Sequence, residues 1–275
     1  MADEDCIAFL QWCLPRLGLR WTGFRRVRRQ VCRRLRRRLA ELGLAGFADY
    51  RRHLEGHAAE WRILDGFCRV TISRFFRDRE VFRRLREEVL PGLARRATAR
   101  GETRLRCWCA GCASGEEVWS LRVLWDLALA PAFPGLALKI LGTDVDLAVL
   151  ARARRACYGT GSLREMEAAW RERAFERRSG LWCVRAELRH DVALALHDVR
   201  RALPTGRFHL LLCRNLVFTY FAAAEQLQVG ARLLDRLEPG GCLLVGSHET
   251  LPAGLGGAEV SAAGAAFYRR AAPGP

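Results

Sequence analysis

A stripe of apolar residues runs through a segment near the amino terminus at helical spacing. Its positions lie three or four residues apart, and they are Phe24, Val27, Val31, Leu35, Leu39 and Leu42. This period is that of an amphipathic α-helix, so the pattern predicts one over 24–42, with Gly43 just beyond its end. Shorter helices are predicted at 46–54 and 58–68. Residues 1–70 are therefore predicted to form a small all-α domain.

The hydrophobic pattern changes from Leu105 onward to short apolar runs that alternate with helical stretches. Strands are predicted at 104–110, 136–143, 191–197, 207–213 and 241–247, and helices at 116–129, 146–156 and 222–237. Strand–helix repeats of this length imply right-handed crossovers and a mostly parallel sheet. The final "AAFYRR" is expected to add an antiparallel edge strand. The fold class is therefore α/β with a small all-α amino-terminal domain.

The charge of the chain is strongly positive and narrows the choice of partners. The 275 residues carry a formal net charge of +16, and of the 46 basic residues only Lys139 is a lysine. The predicted helix over 24–42 alone holds nine arginines. Such a balance favours acidic partners, which include nucleic acid, anionic membrane and acidic protein surfaces, without choosing among them.

The cysteines number eleven. Four of them lie in apolar runs: Cys68, Cys107, Cys213 and Cys242. We expect reduced, buried thiols in an intracellular protein rather than a disulfide framework. Cys107, Cys109 and Cys112 form a C-x-C-x-x-C pattern, but no second Cys/His pair has matching spacing, so no metal site is predicted.

Neither a membrane span nor a signal peptide is expected. No apolar stretch reaches the roughly 20 residues that a spanning helix needs. The chain opens with acidic residues at 3–5 instead of a basic segment. A cytoplasmic location is therefore expected.

The loop after the first predicted strand reads A-G-C-A-S-G-E-E over 110–117. It lacks the dinucleotide fingerprint G-x-G-x-x-G, and a pyrophosphate at this helix start would be repelled by Glu116 and Glu117. A nucleoside that carries a cationic group and no phosphate is favoured instead, and S-adenosylmethionine is such a ligand. The alternative is that both carboxylates only complement the helix dipole.

The following strands also end in polar groups. The second predicted strand ends at Asp144, where a carboxylate can accept hydrogen bonds from both ribose hydroxyls. Asp146 is expected to cap the next helix. The third ends at Asp198, where an adenine amino group could be met, and the fourth ends in "LLLCRNLVFTYF". Carboxyl ends of parallel strands share one edge of the sheet, so these groups predict a nucleoside site there.

Five ordered segments resemble the chemotaxis receptor glutamate methyltransferases, the CheR family. They are "TISRFFRD", "GCASGEEVWSL", "LGTDVD...ARRACYG", "FHLLLCRNLVFTYF" and "LEPGGCLLVGSHETL". The resemblance covers about residues 25–270 and implies a Rossmann-like S-adenosylmethionine-dependent methyltransferase domain behind a small helical domain. It implies O-methylation of glutamate side chains.

The resemblance also implies site residues. Its cofactor contacts fall on Thr71, Ser73, Arg77, Glu117, Asp144, Asp198, Val199, Arg214 and Asn215. Arg77 is the expected clamp for the acceptor carboxylate, with Arg214 as a substitute, although a surface arginine would also fit. The segment R-N-L-V-F-T-Y-F is one residue longer than the family's usual form. Tyr220, or Thr219 in its place, is therefore expected to line the transferred methyl, unless Tyr220 only packs beside its aromatic neighbours.

The expected organisation is a helical domain at 1–70, a linker and connecting helix at 71–98, and a methyltransferase domain at 99–275. A short hairpin is expected near 175–190, which leads to the hypothesis that the enzyme does not depend on a receptor tail peptide. The expected partner is an acidic helical protein, such as a chemoreceptor cytoplasmic domain, docked on the helix over 24–42.

Two other functions stay open. One is methylation of RNA or a small molecule on the same scaffold, because a fold does not determine the acceptor. The fourth strand lacks the D/N-P-P-Y/F ending of amino-group methylases, which counts against nucleic acid. The other is a regulator that binds the cofactor without turnover.

Overall fold

The computed structural model describes residues 3–271. Twelve α-helices occur in this range: α1 (Asp3–Cys13), α2 (Trp21–Phe24), α3 (Arg28–Glu41), α4 (Phe47–Gly56), α5 (Glu60–Phe67), α6 (Arg79–Arg84), α7 (Leu90–Ala99), α8 (Glu116–Leu124), α9 (Leu147–Arg155), α10 (Ala168–Ala174), α11 (Val217–Tyr220) and α12 (Ala223–Asp235). Ten strands occur in the same range: β1 (Arg104–Ala110), β2 (Ala137–Asp144), β3 (Cys157–Tyr158), β4 (Phe175–Arg178), β5 (Leu181–Val184), β6 (Val192–Leu196), β7 (Phe208–Leu212), β8 (Leu237–Leu244), β9 (Ala258–Val260) and β10 (Phe267–Arg270).

The chain divides into two compact units. Unit 1 comprises residues 1–70 and 216–226, and unit 2 comprises 71–215 and 227–275. The segment 216–226 was grouped with the methyltransferase domain on sequence, yet it packs within unit 1. There the Arg20 guanidinium donates to the Thr219 carbonyl at 3.0 Å. A Cβ added at Gly23 would lie 2.2 Å from the same carbonyl oxygen, so this close approach requires glycine.

Unit 1 is helical, and one helix differs from its prediction. The helix predicted over 24–42 is wrong in its first turn, because α3 begins at Arg28 and a separate short α2 ends at Phe24. Val27 has φ −109° and ψ 0°, which interrupts the helical path. Val31, Leu35 and Leu39 are buried as the stripe predicts.

The core of unit 1 contains a buried charge network. Glu60 is only 4% exposed, and its carboxylate accepts two hydrogen bonds from the Arg38 guanidinium, at 2.9 and 2.8 Å. The Tyr50 hydroxyl donates to the same carboxylate at 2.8 Å. The hydrogen bond from Arg38 lowers the pKa of Glu60 against the opposing effect of its burial. This network joins α3, α4 and α5.

Unit 2 is built on a seven-stranded sheet in the order β6-β2-β1-β7-β8-β10-β9. The strands from β6 to β8 are parallel, β10 runs antiparallel to β8, and β9 runs antiparallel to β10. This arrangement confirms the predicted mostly parallel sheet. The carboxyl-terminal strand is antiparallel as expected, but it is not the edge, because β9 lies outside it.

The start of β8 also differs from its prediction. The sequence "EPGG" indicated a turn before a strand at 241–247, whereas β8 begins at Leu237. Leu237 pairs with Phe208 of β7, and the register shifts before Leu210 pairs with Cys242. The Pro-Gly-Gly stretch therefore lies in an irregularity inside the strand.

A second, three-stranded antiparallel sheet has the order β3-β5-β4. Strands β4 and β5 form the hairpin near 175–190. Its two-residue turn, Ser179–Gly180, has positive φ at both positions, 47° and 80°, as the favoured hairpin turns require. Strand β3 adds a third strand by pairing Cys157 and Tyr158 with β5.

The cysteines are of two kinds. Cys68, Cys107, Cys213 and Cys242 are buried and lie outside both disulfides, as expected. The expectation against disulfides is wrong at two pairs, Cys6–Cys32 and Cys157–Cys183. Their members lie 26 residues apart and are brought together by helix packing in the first case and strand register in the second.

Residues 3–271 contain no group of three or more His, Cys, Asp or Glu side chains that could hold a metal ion. None of the helices in this range combines the length and the apolar character that crossing a membrane would require.

Candidate functional site

The loop between β1 and α8 is folded tightly against the end of β2. The backbone N–H groups of Gly111 and Cys112 both donate to the Thr143 carbonyl, at 2.8 and 2.9 Å. Gly115 has φ +90°, and a Cβ there would lie 2.8 Å from the Cβ of Ala153. The glycine therefore allows the helix start to approach α9 closely.

Asp144 at the end of β2 holds this loop in place. One carboxylate oxygen accepts from the Ala113 N–H at 2.9 Å, and the other accepts from the Asp146 N–H at 3.1 Å. Burial raises the pKa of Asp144, and these backbone donors oppose the shift. Each carboxylate oxygen has capacity for a further donor, so ribose hydroxyls can still be bound. Asp146 caps α9 as predicted, accepting from the Ala148 N–H at 2.8 Å.

The two adjacent glutamates at the start of α8 face different surroundings. Glu116 accepts from the hydroxyls of Ser114 and Ser162, each at 3.2 Å, and is buried. Glu117 accepts from the Arg214 guanidinium at 3.1 Å. Burial raises the pKa of Glu117, and the nearby positive charge of Arg214 opposes it. The dipole interpretation is therefore insufficient for Glu117, which has a specific cationic partner.

Arg214 is the buried centre of this cluster. Its side chain is 3% exposed, and besides Glu117 it donates to the Asp78 carboxylate at 2.6 Å and to the Arg77 carbonyl at 3.0 Å. The Ser247 hydroxyl donates to the same Asp78 oxygen at 3.2 Å. Arg214 thus ties the linker segment to the first turn of α8.

Asn215 is held by a carboxylate that joins two strand ends. One oxygen of Glu249 accepts from the backbone N–H of Asn215 at 2.8 Å and of Gly246 at 2.6 Å. Asn215 has φ +54°, a left-handed conformation that non-glycine residues adopt rarely. The buried Glu249 therefore sets the backbone at Asn215, at the carboxyl end of β7.

The third strand end is arranged differently from the other two. The His197 N–H donates to the Asp144 carbonyl at 2.9 Å, which places the end of β6 beside that of β2. The Asp198 carboxylate, however, accepts from the Arg200 backbone N–H at 2.9 Å and from its guanidinium at 3.2 Å. Val199 is buried. An adenine contact by Asp198 and Val199 stays a prediction.

The linker residues lie in an irregular segment before α6. Thr71, Ser73 and Arg77 are each partly exposed, and Arg77 donates to the Ile72 carbonyl at 2.9 Å. The Phe76 N–H donates to the Ser120 hydroxyl of α8 at 3.0 Å. Arg77 also lies near enough to Glu117 for its charge to act on the pKa of that carboxyl.

Comparison with known proteins agrees with this geometry. Residues 71–262 match the family described as CheR methyltransferase, SAM binding domain, and residues 27–64 match its all-alpha domain. The first match alone covers more than half of the chain. The chain belongs to the CheR methyltransferase family. Its cofactor is therefore S-adenosylmethionine, and the recognised fold and enzyme class are confirmed.

Individual relatives support the assignment. The chain is 32% identical to the chemotaxis protein methyltransferase of Escherichia coli over 81% of its own length and 76% of that protein. It is 31% identical to a probable chemotaxis protein methyltransferase of Rhizobium etli, over 80% of the chain and 83% of that protein. It also matches a 104.1 kDa protein of Rhodobacter capsulatus at 31% identity over 80% of the chain, but spans only 23% of that longer protein.

The hydrogen-bond acceptors of the CheR-type site fit S-adenosylmethionine. Carboxylates at Glu117 and Asp144 suit an ammonium group and ribose hydroxyls, whereas a phosphate would be repelled. The structure brings together Arg77, Glu117, Arg214 and Asp144 within unit 2. Tyr220 belongs to unit 1, where its ring lies 5.0 Å from that of Phe24. Its role at the methyl stays a prediction.

Sequence reasoning assigned no role to Asp78 or Glu249. Asp78 lies inside the quoted segment "TISRFFRD" and Glu249 inside "LEPGGCLLVGSHETL", so the motifs contained both signals. Their partners are Arg214 and two backbone N–H groups, which are separated from them by 136, 34 and 3 positions. No local pattern predicts the contacts of Asp78 with Arg214 and of Glu249 with Asn215, because each joins residues that are far apart in the chain.

Proposed function

We propose that this chain transfers a methyl group from S-adenosylmethionine to glutamate side chains of an acidic helical receptor or signalling protein. The observation that carries the proposal is the cluster of Glu117, Arg214 and Arg77 beside Asp144. It combines carboxylates for a cationic nucleoside with the Arg77 guanidinium for an anionic acceptor, and Arg214 supports both from within the cluster. The acceptor is proposed to be the cytoplasmic part of a receptor, so a cytoplasmic location is part of the proposal.

The chemistry needs orientation more than proton transfer. When bound, S-adenosylmethionine supplies a methyl group that is attached to a positively charged sulfonium, and the sulfur becomes a neutral thioether when the methyl group is transferred. The acceptor glutamate has an ordinary pKa near 4.3 and is ionised at neutral pH, so the chain need supply no general base. Holding the two groups in line can supply most of the acceleration.

Three residues have proposed roles in that orientation. Glu117 binds the ammonium group and Asp144 binds the ribose hydroxyls. Arg77 receives the acceptor carboxylate, since its planar fork matches a carboxylate and its side chain is partly exposed. The buried Arg214 is committed to Glu117 and Asp78, so it supports the site from behind instead of acting as the clamp.

The acceptor is proposed to dock on arginines of unit 1. Of the nine arginines over 24–42, Arg34 and Arg38 bind internal acceptors, and Arg25, Arg26, Arg29, Arg33 and Arg37 are exposed. Exposed guanidinium groups on and beside one helix would attract an acidic helix, with an affinity that falls as salt rises. RNA would be attracted by the same charges.

One experiment separates the candidate functions. The purified chain is incubated with methyl-labelled S-adenosylmethionine and either an acidic helical receptor fragment or RNA, and the product is treated with mild alkali. A glutamate methyl ester releases labelled methanol, whereas methyl groups on nitrogen or carbon survive. We expect volatile label from the protein arm only. Stable label on RNA, or no label together with tight binding of S-adenosylhomocysteine, would contradict the proposal.

A further inference from the structure

The segment that carries Arg77 has an unusual backbone. Phe76 has φ +50° and Asp78 has φ +66°, and both are left-handed conformations that residues with a Cβ adopt rarely. Strained residues on either side of one side chain persist only where the surrounding structure holds them. The direction of Arg77 therefore depends on contacts made by its neighbours.

A single residue outside the described site, Glu165, contacts this segment at three places, twice through its carboxylate and once through its backbone carbonyl. The Glu165 carboxylate accepts from the Asp78 backbone N–H at 3.2 Å, and its other oxygen lies 2.9 Å from Nε of Arg74. The Glu165 carbonyl accepts from the Arg79 guanidinium at 3.1 Å. These contacts lie on both sides of Arg77, one of them on a strained residue.

Glu165 is itself placed by rigid neighbours. It follows the short helical turn Thr160–Leu163 and is flanked by the buried side chain of Met166. The Ser162 carbonyl in that turn accepts from the Phe75 N–H at 3.0 Å. Phe75 is fully buried and packs edge-on against Tyr158 of β3 and Phe175 of β4. The insertion that bears the three-stranded sheet therefore holds the linker through both backbone and side-chain contacts.

We propose that Glu165 is a positioning residue for methyl transfer, an inference that rests on the proposed role of Arg77. Its carboxylate fixes the backbone at Asp78 and the guanidinium of Arg74. It thereby holds the Arg77 side chain in the position from which it binds the acceptor carboxylate. Arg214 holds the same segment through different groups, because it donates to the Arg77 carbonyl and to the Asp78 carboxylate. Glu165 touches neither of these two acceptors, so its effect is separable.

The test uses the full chain with three variants. Glu165→Ala removes both contacts of the carboxylate. Glu165→Gln keeps an oxygen that can accept from the Asp78 N–H but removes the charge that faces Arg74. Glu167→Gln is the matched control, because Glu167 lies two positions away and its side chain is exposed.

Initial rates are measured while S-adenosylmethionine and the acceptor are varied separately. A misplaced group costs on the order of 100-fold in rate, so we expect kcat to fall about 10- to 100-fold in Glu165→Ala. The amide variant should lie between that value and the wild type. The KM for S-adenosylmethionine should change less than kcat, and the control should stay within about twofold. A Glu165→Ala variant with wild-type kcat would overturn the proposal.

Hydrogen–deuterium exchange provides a readout that needs no acceptor. Peptides that cover residues 74–79 should exchange faster in Glu165→Ala than in the wild type, while peptides from β1 and β2 should not change. If Glu165→Ala fails to fold, Glu165→Gln decides, and unchanged exchange over 74–79 in that variant together with wild-type kcat overturns the proposal. If the wild type methylates no glutamate, the proposed function fails while the exchange result still tests the contact.

Discussion

The exposed arginines of α3 in unit 1 and the buried Arg214 of unit 2 have opposite roles. In unit 1, α3 presents Arg29, Arg33 and Arg37 to solvent on the face away from its buried stripe. In unit 2, the side chain of Arg214 is 3% exposed and is shared between two carboxylates and a backbone carbonyl. A formal charge of +16 therefore does not indicate which arginines face solvent and which are buried against acceptors. The acceptors that the fold brings near each guanidinium decide that.

The largest effect is expected from Arg214→Ala. Removing a buried cation leaves Glu117 and Asp78 without their partner, and breaking such a pair destabilises a protein by about 3–5 kcal/mol. The affinity for S-adenosylhomocysteine should fall by about 100-fold or more, because Glu117 loses the residue that positions it. A 100-fold loss corresponds to about 2.7 kcal/mol of binding free energy. Chemical denaturation and calorimetry measure the two effects. Arg214→Lys should recover only part of each, because lysine has no planar fork. Wild-type affinity in the alanine variant would contradict this account of the cluster.

The next largest effect is expected at Glu117, the carboxylate that accepts from Arg214. Glu117→Gln should weaken S-adenosylhomocysteine binding by about 10- to 100-fold, because an amide replaces the charge that faces the ammonium group. In the wild type, burial raises the pKa of Glu117 above its ordinary 4.5, so protonation begins at a higher pH than for an exposed glutamate. Affinity should therefore fall as the pH is lowered through that raised pKa.

Calorimetry across a pH series checks both expectations for Glu117. The pH dependence should be weaker in Glu117→Gln. The raised pKa of Asp144, which also results from burial, should leave a remaining slope in the same direction. A variant whose affinity keeps the full wild-type pH dependence would show that Glu117 is not the titrating group.

A third change removes the arginine partner of the buried Glu60 in unit 1. Arg38→Ala should lower the free energy of unfolding by about 1–3 kcal/mol, because it leaves the buried Glu60 carboxylate with the Tyr50 hydroxyl as its remaining side-chain donor. In the wild type, the pKa of Glu60 is lowered below its ordinary 4.5. The stability that this pair contributes is therefore present above about pH 4.5 and is lost as the pH falls through the lowered pKa. Denaturation curves at several pH values measure it, with Arg37→Ala as the exposed control.

The smallest effect on the molecule itself is expected from its exposed arginines. Arg29→Ser with Arg33→Ser should leave the free energy of unfolding within about 0.5 kcal/mol and cofactor affinity unchanged. The KM for an acidic acceptor should nevertheless rise about 3- to 10-fold at low salt and converge on the wild type at high salt. Steady-state kinetics at two ionic strengths check this. An unchanged KM at low salt would remove these arginines from the proposed docking surface.

Much of unit 2 could be predicted from the chain because its signals are local. Strands such as β1 and β2 are buried apolar runs, and their predicted ranges differ from the observed ones by a residue or less. Asp144 is the last residue of β2, Glu117 lies in the first turn of the helix after β1, and every parallel strand presents its carboxyl end at one edge. The position of both carboxylates therefore follows from topology alone.

Other features could not be predicted because their causes are distant in the chain. The late start of the helix predicted over 24–42 accompanies packing of Phe24 against Tyr220, and β8 begins at Leu237, where it pairs with Phe208. The disulfide between Cys157 and Cys183 depends on which residues of β3 and β5 face each other. Periodicity reports which face of an element is buried, not which element covers it.

The sequence was enough to predict the all-α and α/β domains, the polar groups at the ends of the parallel strands, and the family. Burial patterns and motif order are properties of residues that are close together in the chain. Only the tertiary structure decided that Arg214 is a buried bridge, that Glu249 sets the backbone of Asn215, and that Glu165 holds the strained segment around Arg77. Each of these roles depends on a donor and an acceptor meeting across the fold at hydrogen-bond distance, and that condition is set by packing in three dimensions.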